Sequence, residues 1–170
     1  IVDDSSPDNT AEMAKTLAVK FGGRISIIER ACKQGLGTAY LRGFMAALEG
    51  GALYVLQMDA DLSHPPEYIP DFLLALQHQD VVVGSRYVAG GGVDSDWSLL
   101  RKIISFIGNF GIRMVVGLRV KDATSGFKGF RAQALVPLLF NSYRCKGFGF
   151  QVEVALACQQ AGYKMAEYPI

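Results

Sequence analysis

"ALYVLQMDADLSHPPE", residues 52–67, runs from an apolar segment into two carboxylates one residue apart, and then into two prolines. A short apolar run bounded by turn residues reads as a strand buried on both faces. Proline is favoured in the first turn of a helix, so "PEYIPDFLLALQ" reads as the helix that follows. Asp59 and Asp61 therefore sit at the carboxyl end of a buried strand, where a structural core has no use for two negative charges.

The same unit recurs on both sides. Ile1-Val2 reads as the tail of a strand ending at "DDSSPDNT", with a helix following over about 10–21. "RISIIE" is a short β-branched strand. "KQGLGTAY" is a glycine turn leading into a helix that ends near Leu48, and "DVVVGS" is another buried strand. Strands and helices thus alternate through residue 85, the mark of an α/β fold with a mostly parallel sheet. Open sheets of this kind bind ligands at the carboxyl ends of their strands. Asp3 and Asp4, Asp59 and Asp61, and Ser85-Arg86 all fall at such ends, so three polar clusters are expected to face one crevice. Beyond residue 90 the order changes. A glycine-rich loop "AGGGVDSD" precedes a long helix over 97–116, "DATSGFKGFR" reads as a polar turn region, and two helices and a closing strand "YKMAEYPI" complete the chain.

Bulk properties narrow the function. The 170 residues fit one domain, half of them hydrophobic and 19% charged, so the chain is globular. Lys plus Arg is 17 and Asp plus Glu is 16, a balance that calls for no nucleic-acid partner. Cys32, Cys145 and Cys158 show no metal-binding spacing and point to reduced thiols and a cytosolic setting. No leader segment is evident. No run reaches the roughly 18 uninterrupted apolar residues of a membrane span, and 99–118 is broken by Arg101, Lys102 and Arg113. The chain opens and closes inside apolar patterns, which reads as a fragment truncated at both ends.

Two carboxylates one residue apart suit Mg²⁺ or Mn²⁺ through hard oxygen ligands, and magnesium usually shares its shell with substrate phosphates. A D-x-D in a crevice therefore points to a nucleoside diphosphate ligand, against the alternative of a solvated turn that caps the next helix. Arg86, following a buried strand, fits an incoming phosphate, or else pairs with a nearby carboxylate. On the long helix, at about 100° per residue, Ser98, Arg101, Lys102, Ser105, Asn109 and Arg113 share one stripe. Apolar residues cover the rest. Two readings stay open there: a buried helix with a solvated polar edge, or a helix at a membrane interface whose stripe holds a phosphate.

Together, "VDDSSPDNT", "GLGTAYLRGF", "MDADLSHPPE", "VVVGSRY" and "RKIISFIGNFGIRMVVGLRVKDATSGFKGFR" resemble the dolichol-phosphate (polyprenol-phosphate) mannosyltransferases, glycosyltransferase family 2 enzymes of GT-A fold. The resemblance covers nearly the whole chain and implies a single GT-A catalytic domain over 1–170. It implies inverting transfer of mannose from GDP-mannose to a polyprenyl (dolichyl) phosphate, with Mg²⁺ or Mn²⁺ as cofactor. The setting implied is cytoplasmic, peripheral at a membrane surface. It maps the nucleotide-sugar site to Asp3, Asp4, Asp59, Ala60 and Asp61, the metal to Asp59 and Asp61, and the acceptor phosphate to Arg86, Arg101 and Ser105. Asp61, Arg86, Arg101 and Ser105 are the expected catalytic group. The family's opening strand, roughly "VVIPTYNE", and the basic segment after "PI" have no counterpart here. Without that interior strand, two sheet edges are expected to stand unpaired. Ser63 stands where many members carry a metal-side glutamine.

Weaker signals remain divided. Gly35 and Gly37 could cradle a phosphate or merely turn the chain into a helix. His64 reads as a turn residue or a group behind the metal. Asp122, Ser125 and Gly126 shape an acceptor pocket or a turn. Gln151 and Glu153 line the site or complement a helix dipole. Three rival functions compete: transfer from UDP-glucose or a UDP-aminosugar to the same kind of lipid, a nucleotide-binding module without chemistry, and a nucleotidyltransferase.

Overall fold

The computed structural model describes residues 1–92, 98–145 and 147–170, and for Arg101 and Lys102 the backbone alone. Among the described residues, six strands and six α-helices follow the expected order except for one added strand, β5: β1 (Val2–Asp3), α1 (Thr10–Lys20), β2 (Ile28–Glu29), α2 (Leu36–Glu49), β3 (Tyr54–Gln57), α3 (Ile69–Ala75), β4 (Val81–Ser85), α4 (Leu99–Val116), β5 (Lys128–Arg131), α5 (Ala132–Leu138), α6 (Gly149–Gln160) and β6 (Met165–Pro169). Pro66–Tyr68 form a 3₁₀ turn that feeds α3, so the prolines start the helix one turn later than the sequence implies. The second half of the "AGGGVDSD" loop, with the first residue of the expected 97–116 helix, lies outside the described residues.

The strands form two groups. β1 and β2 pair in parallel, Val2 opposite Ile28 and Asp3 opposite Glu29. The other four form a sheet in the order β3-β5-β4-β6, with no ladder to the first pair among the described residues. Within that sheet β6 runs parallel to β4, and β5 runs antiparallel to both β3 and β4. β3, β4 and β6 therefore share one direction, and β5 alone opposes them.

β5 corrects the reading of "DATSGFKGFR" as a turn region. Lys128–Arg131 occupy an interior position, with Val55 opposite Phe130 on one side and Val81 opposite Phe130 on the other. Side chains on β4 and β5 alternate between the two faces of the sheet. Val81, Val83 and Phe130 pack with Phe44 of α2, Leu135 of α5 and Val154 of α6. Val82 faces the other way, against Phe72 and Leu76 of the α3 segment. Burial on both faces explains why "VVVGS" reads as an unbroken apolar run. The small residue Gly129 lets β5 sit close to α3: a Cβ there would stand 3.0 Å from the Leu76 side chain.

Candidate active site

At the end of β1, Asp3 is buried, and Ser6 donates its backbone N–H to the Asp3 carboxylate at 3.0 Å. Hydrogen bonds from Ser6 hold Asp3 below the usual carboxylate range. Asp4 is gripped by Arg30 in a two-pronged fork, with Nε and Nη2 each 2.6 Å from a carboxylate oxygen. The remaining guanidinium nitrogen of Arg30 donates to Thr38 Oγ1 at 2.8 Å, and that hydroxyl donates to the Gly35 carbonyl, also at 2.8 Å. The first turn of α2 is thereby fastened to the end of β1.

Two residues further along α2, the Tyr40 hydroxyl donates to Asp59 Oδ1 at 2.6 Å. Asp59 in turn donates its backbone N–H to His64 Nδ1 at 2.9 Å, which leaves the ring proton of neutral His64 on Nε2. Burial pulls the His64 imidazole below its ordinary pKa, against the opposing pull of Asp59 and Asp61. Asp61 is exposed; its Oδ1 accepts the Ser63 N–H at 3.0 Å and the Ser63 hydroxyl at 2.5 Å. Those bonds hold the Asp61 carboxyl below its usual range. Ala60 lies exposed between the two acids.

At the end of β4, Arg86 forms a second fork. Its Nε lies 2.7 Å and its Nη2 2.8 Å from the oxygens of Asp122, and Nη2 also reaches Thr124 Oγ1 at 3.2 Å. Asp122 is fully buried and accepts the Arg86 backbone N–H as well. The pairing of Arg86 with a carboxylate is thus realised, and Nη1 is the nitrogen that neither Asp122 nor Thr124 uses. Next to it, the Tyr87 hydroxyl meets Ser105 Oγ at 2.9 Å, which brings the α4 stripe to the end of β4. Asn109, one turn on, is buried and bonds the Lys121 carbonyl and the Ala123 N–H. Of the stripe, Ser105 and Asn109 therefore face protein, and the reading of a buried helix with a solvated polar edge is reversed at these positions. Leu100, Ile104, Ile107 and Met114 are each more than 60% exposed. The side chain of Arg101 lies outside the described residues.

The three strand ends belong to one region because two segments tie them together. The first turns of α2 touch Arg30 through Thr38 and Asp59 through Tyr40. Residues 122–126 hold Arg86 at one end and meet Asp59 and His64 at the other: a Cβ on Gly126 would stand 2.9 Å from Asp59 Oδ2 and 3.2 Å from the His64 ring. The charges of Asp59, Asp61, Arg86 and Lys128 all act on His64.

The divided signals resolve as follows. Gly37 packs so tightly that a Cβ would come 2.6 Å from the Phe150 ring, so that glycine serves helix packing. Glu153 accepts the backbone N–H groups of Arg144 and Cys145, a loop-holding role. Gln151 is buried beneath the site and accepts hydrogen bonds from Gln57 at 2.7 Å and Lys128 at 2.8 Å. Tyr40, Gln57 and Lys128 were missed. Gln57 offered a clue, a polar residue inside an apolar strand, whereas nothing in the sequence pointed to Tyr40.

The carboxylates suit a divalent cation. Among the described residues neither Asp59 Oδ2 nor Asp61 Oδ2 accepts a hydrogen bond. Hard, ionised oxygens of this kind are what Mg²⁺ or Mn²⁺ takes, with phosphates and water completing the shell.

Residues 1–138 match the profile of Glycosyl transferase family 2. The chain is 39% identical over its whole length to an undecaprenyl-phosphate mannosyltransferase of Micrococcus luteus, spanning 69% of that protein. It is 36% identical to a polyprenol monophosphomannose synthase of Mycolicibacterium smegmatis, again over its whole length and 64% of the relative. The chain thus spans about two thirds of the curated relatives it matches. Among solved structures it resembles glucosyl-3-phosphoglycerate synthase of Mycobacterium tuberculosis, crystallised with Mn²⁺, UDP-glucose and phosphoglyceric acid. The TM-score is 0.60 at 17% identity, covering 98% of this chain and 56% of that one. That likeness bears out the expected GT-A architecture, and the profile match together with the whole-chain relatives establishes that the chain belongs to glycosyl transferase family 2.

Proposed function

We propose that the protein is an inverting glycosyltransferase that moves mannose from GDP-mannose to a polyprenyl phosphate at a membrane surface on the cytoplasmic side. The observation that carries this reading is the joining of Asp59 and Arg86 through residues 122–126, which sets the cation-attracting carboxylates Asp59 and Asp61 and a guanidinium in the one region around His64. The mannosyl-transferring relatives, alike over the whole chain, support the substrate class.

In this reading Asp3 and Asp4 face the nucleotide. Asp3 keeps its charge at neutral pH, and a carboxylate can accept two hydrogen bonds from a guanine edge. Asp59 and Asp61, with Ala60 between them, would hold Mg²⁺ or Mn²⁺ through their carboxylates. The bound cation supplies charge neutralisation for the departing diphosphate. Arg86, through its uncommitted Nη1, and Ser105 orient the acceptor phosphate, together with Arg101. An oxygen of that phosphate attacks the anomeric carbon. As the new carbon–oxygen bond forms, the bond to the GDP β-phosphate oxygen breaks and its electron pair leaves with GDP. One displacement inverts the configuration. A phosphate monoester has its second pKa near ~6 and is already largely anionic, so no general base is needed. Neutral, buried His64 does not have to act as one. Positioning two anions and offsetting their repulsion is the work left to the side chains.

The apolar outer face of α4 fits a lipid-borne acceptor. Among the described residues no helix is long and apolar enough to cross a membrane. α4 instead offers an apolar face to the interface, with Ser105 and Asn109 on its inner side.

The test is direct. Full-length protein supplied with a polyprenyl phosphate and divalent metal should release GDP from GDP-mannose and form mannosyl lipid, with far less transfer from UDP-glucose. Asp61→Ala should lower turnover at least a hundredfold at saturating metal. Equal use of UDP-glucose would move the donor assignment, and an unimpaired Asp61→Ala variant would remove the metal reading.

A further inference from the structure

We infer that Tyr40 and Gly126 form a two-sided clamp on the Asp59 carboxylate, founded on the buried amide pair Gln57–Gln151, so that Tyr40 is a positioning residue for the divalent cation. This inference rests on the metal reading above and adds a means by which one ligand is kept in place.

One side of the clamp is the Tyr40 hydroxyl, 2.6 Å from Oδ1. The Gln151 side chain lies beside that hydroxyl, and its Nε2 donates to nothing among the described residues. A donor on that flank cannot accept the phenolic proton, so the proton goes to Asp59. The Tyr40 ring is itself fixed, stacked on Phe150 at 6.0 Å and on Phe44 at 6.0 Å. The other side is the backbone at Gly126. It approaches so closely that a Cβ would stand 2.9 Å from Oδ2 and 3.3 Å from Oδ1. Between these sides the carboxylate has little room to rotate, and Oδ2 is left as the oxygen without a hydrogen bond.

Both sides share a foundation. Gln57 Nε2 donates to the Gly126 carbonyl at 2.9 Å and to Gln151 Oε1 at 2.7 Å. Lys128 Nζ donates to the same Gln151 oxygen at 2.8 Å and to the Ser125 carbonyl. Gln57, Gln151 and Lys128 are all at least 96% buried, so water does not compete for these bonds. The network therefore sets Gly126 relative to α6, and α6 carries the Phe150 ring on which Tyr40 rests. A ligand held in advance loses less freedom when the cation arrives.

The experiment measures Mn²⁺ binding to full-length protein in the presence of GDP, from the paramagnetic resonance signal of free Mn²⁺. Tyr40→Phe keeps the stacked ring and removes only the hydroxyl. It should weaken Mn²⁺ about tenfold, the loss expected of one hydrogen bond to a charged group. In transfer assays the KM for Mn²⁺ should rise while kcat at saturating metal stays near the unsubstituted value. Gly126→Ala attacks the clamp from the other side and should weaken Mn²⁺ at least as much. If Tyr40→Phe does not fold, Gly126→Ala decides. Unchanged Mn²⁺ affinity in the folded variants overturns the clamp while leaving the metal reading intact. Absence of nucleotide-dependent Mn²⁺ binding in the unsubstituted protein overturns both.

Discussion

Two guanidinium–carboxylate forks stand at the ends of the site, built alike and set in different surroundings. Arg30 grips Asp4, and Arg86 grips Asp122, each through Nε and Nη2. Asp122 has no exposed side-chain surface, whereas Asp4 keeps 19%. The Arg86 fork closes the end of β4, a strand packed on both faces and laddered to β5 and β6. The Arg30 fork closes a two-stranded pair joined by only two residue pairings. In the well-packed region the ladder holds the strand, but Asp122 is fully buried, so the fork both aims the Arg86 cation and neutralises a carboxylate that water cannot reach. In the sparse region the fork links β1, β2 and α2 through a carboxylate that still meets water. Identical chemistry thus carries a large desolvation stake in one place and a small one in the other.

Cutting each fork in turn measures the two stakes. Asp122→Ala strands a guanidinium beside a buried void, and breaking a buried pair costs about 3–5 kcal/mol. Urea unfolding at pH 7 should show a drop of that size, with loss of transfer. Asp4→Ala opens the pair whose carboxylate still meets water, and the expected cost is about 1 kcal/mol. A loss from Asp4→Ala as large as that from Asp122→Ala would break the contrast.

A third cation sharpens the comparison because, among the described residues, no carboxylate pairs with it directly. Burial pulls the Lys128 ammonium down from 10.5 to about 7. Below pH 7 the charge is present in folded and unfolded chains alike, and its burial weakens the fold in full. Above pH 7 the folded protein gives up the proton while the unfolded chain keeps it up to about 10.5. The unfolded state then binds more protons, and stability rises with pH by at most about 1.4 kcal/mol per pH unit. The window between pH 7 and 9 isolates this effect. His64, lowered by burial, titrates below it. The Cys158 thiol, pushed up to about 12 by burial, acts with the opposite sign above its ordinary 9.0. Unfolding curves across that window should show rising stability in the unsubstituted protein and a flat response in Lys128→Met. A rise that survives Lys128→Met would assign it to another group.

How far the sequence could be read follows from the same contrasts. β4 and the alternation up to it were legible because apolar runs and proline signals are local. The α4 stripe was legible too, since spacing defines a face. Which side of that face met water was not, because orientation depends on Tyr87 and on the 121–123 backbone, far along the chain. β5 was lost for a related reason. "KGFR" has a lysine and a glycine in a four-residue strand, and that lysine becomes tolerable in the interior through the Ser125 carbonyl and through Gln151, on a helix still to come. Asp59 and Asp61 stand just beyond the end of their strand, as its apolar run implied, but their immediate partners were not visible.

The smallest expected change in stability lies on α4, where the usual arrangement of a surface helix is inverted. Ile104 and Ile107 are 62% and 61% exposed, so replacing both with aspartate removes little buried surface. Unfolding free energy should stay within about 0.5 kcal/mol for each, as for ordinary surface positions. Retention of the full-length protein on phospholipid vesicles should nevertheless fall sharply, because an apolar face that meets lipid tolerates charge poorly. A stability loss of several kcal/mol instead would mean that another part of the protein covers this face. Unchanged vesicle retention would remove α4 from the membrane contact. Either result would leave both forks where they are, because neither Arg30 nor Arg86 reaches the outer side of this helix to hold on to its carboxylate.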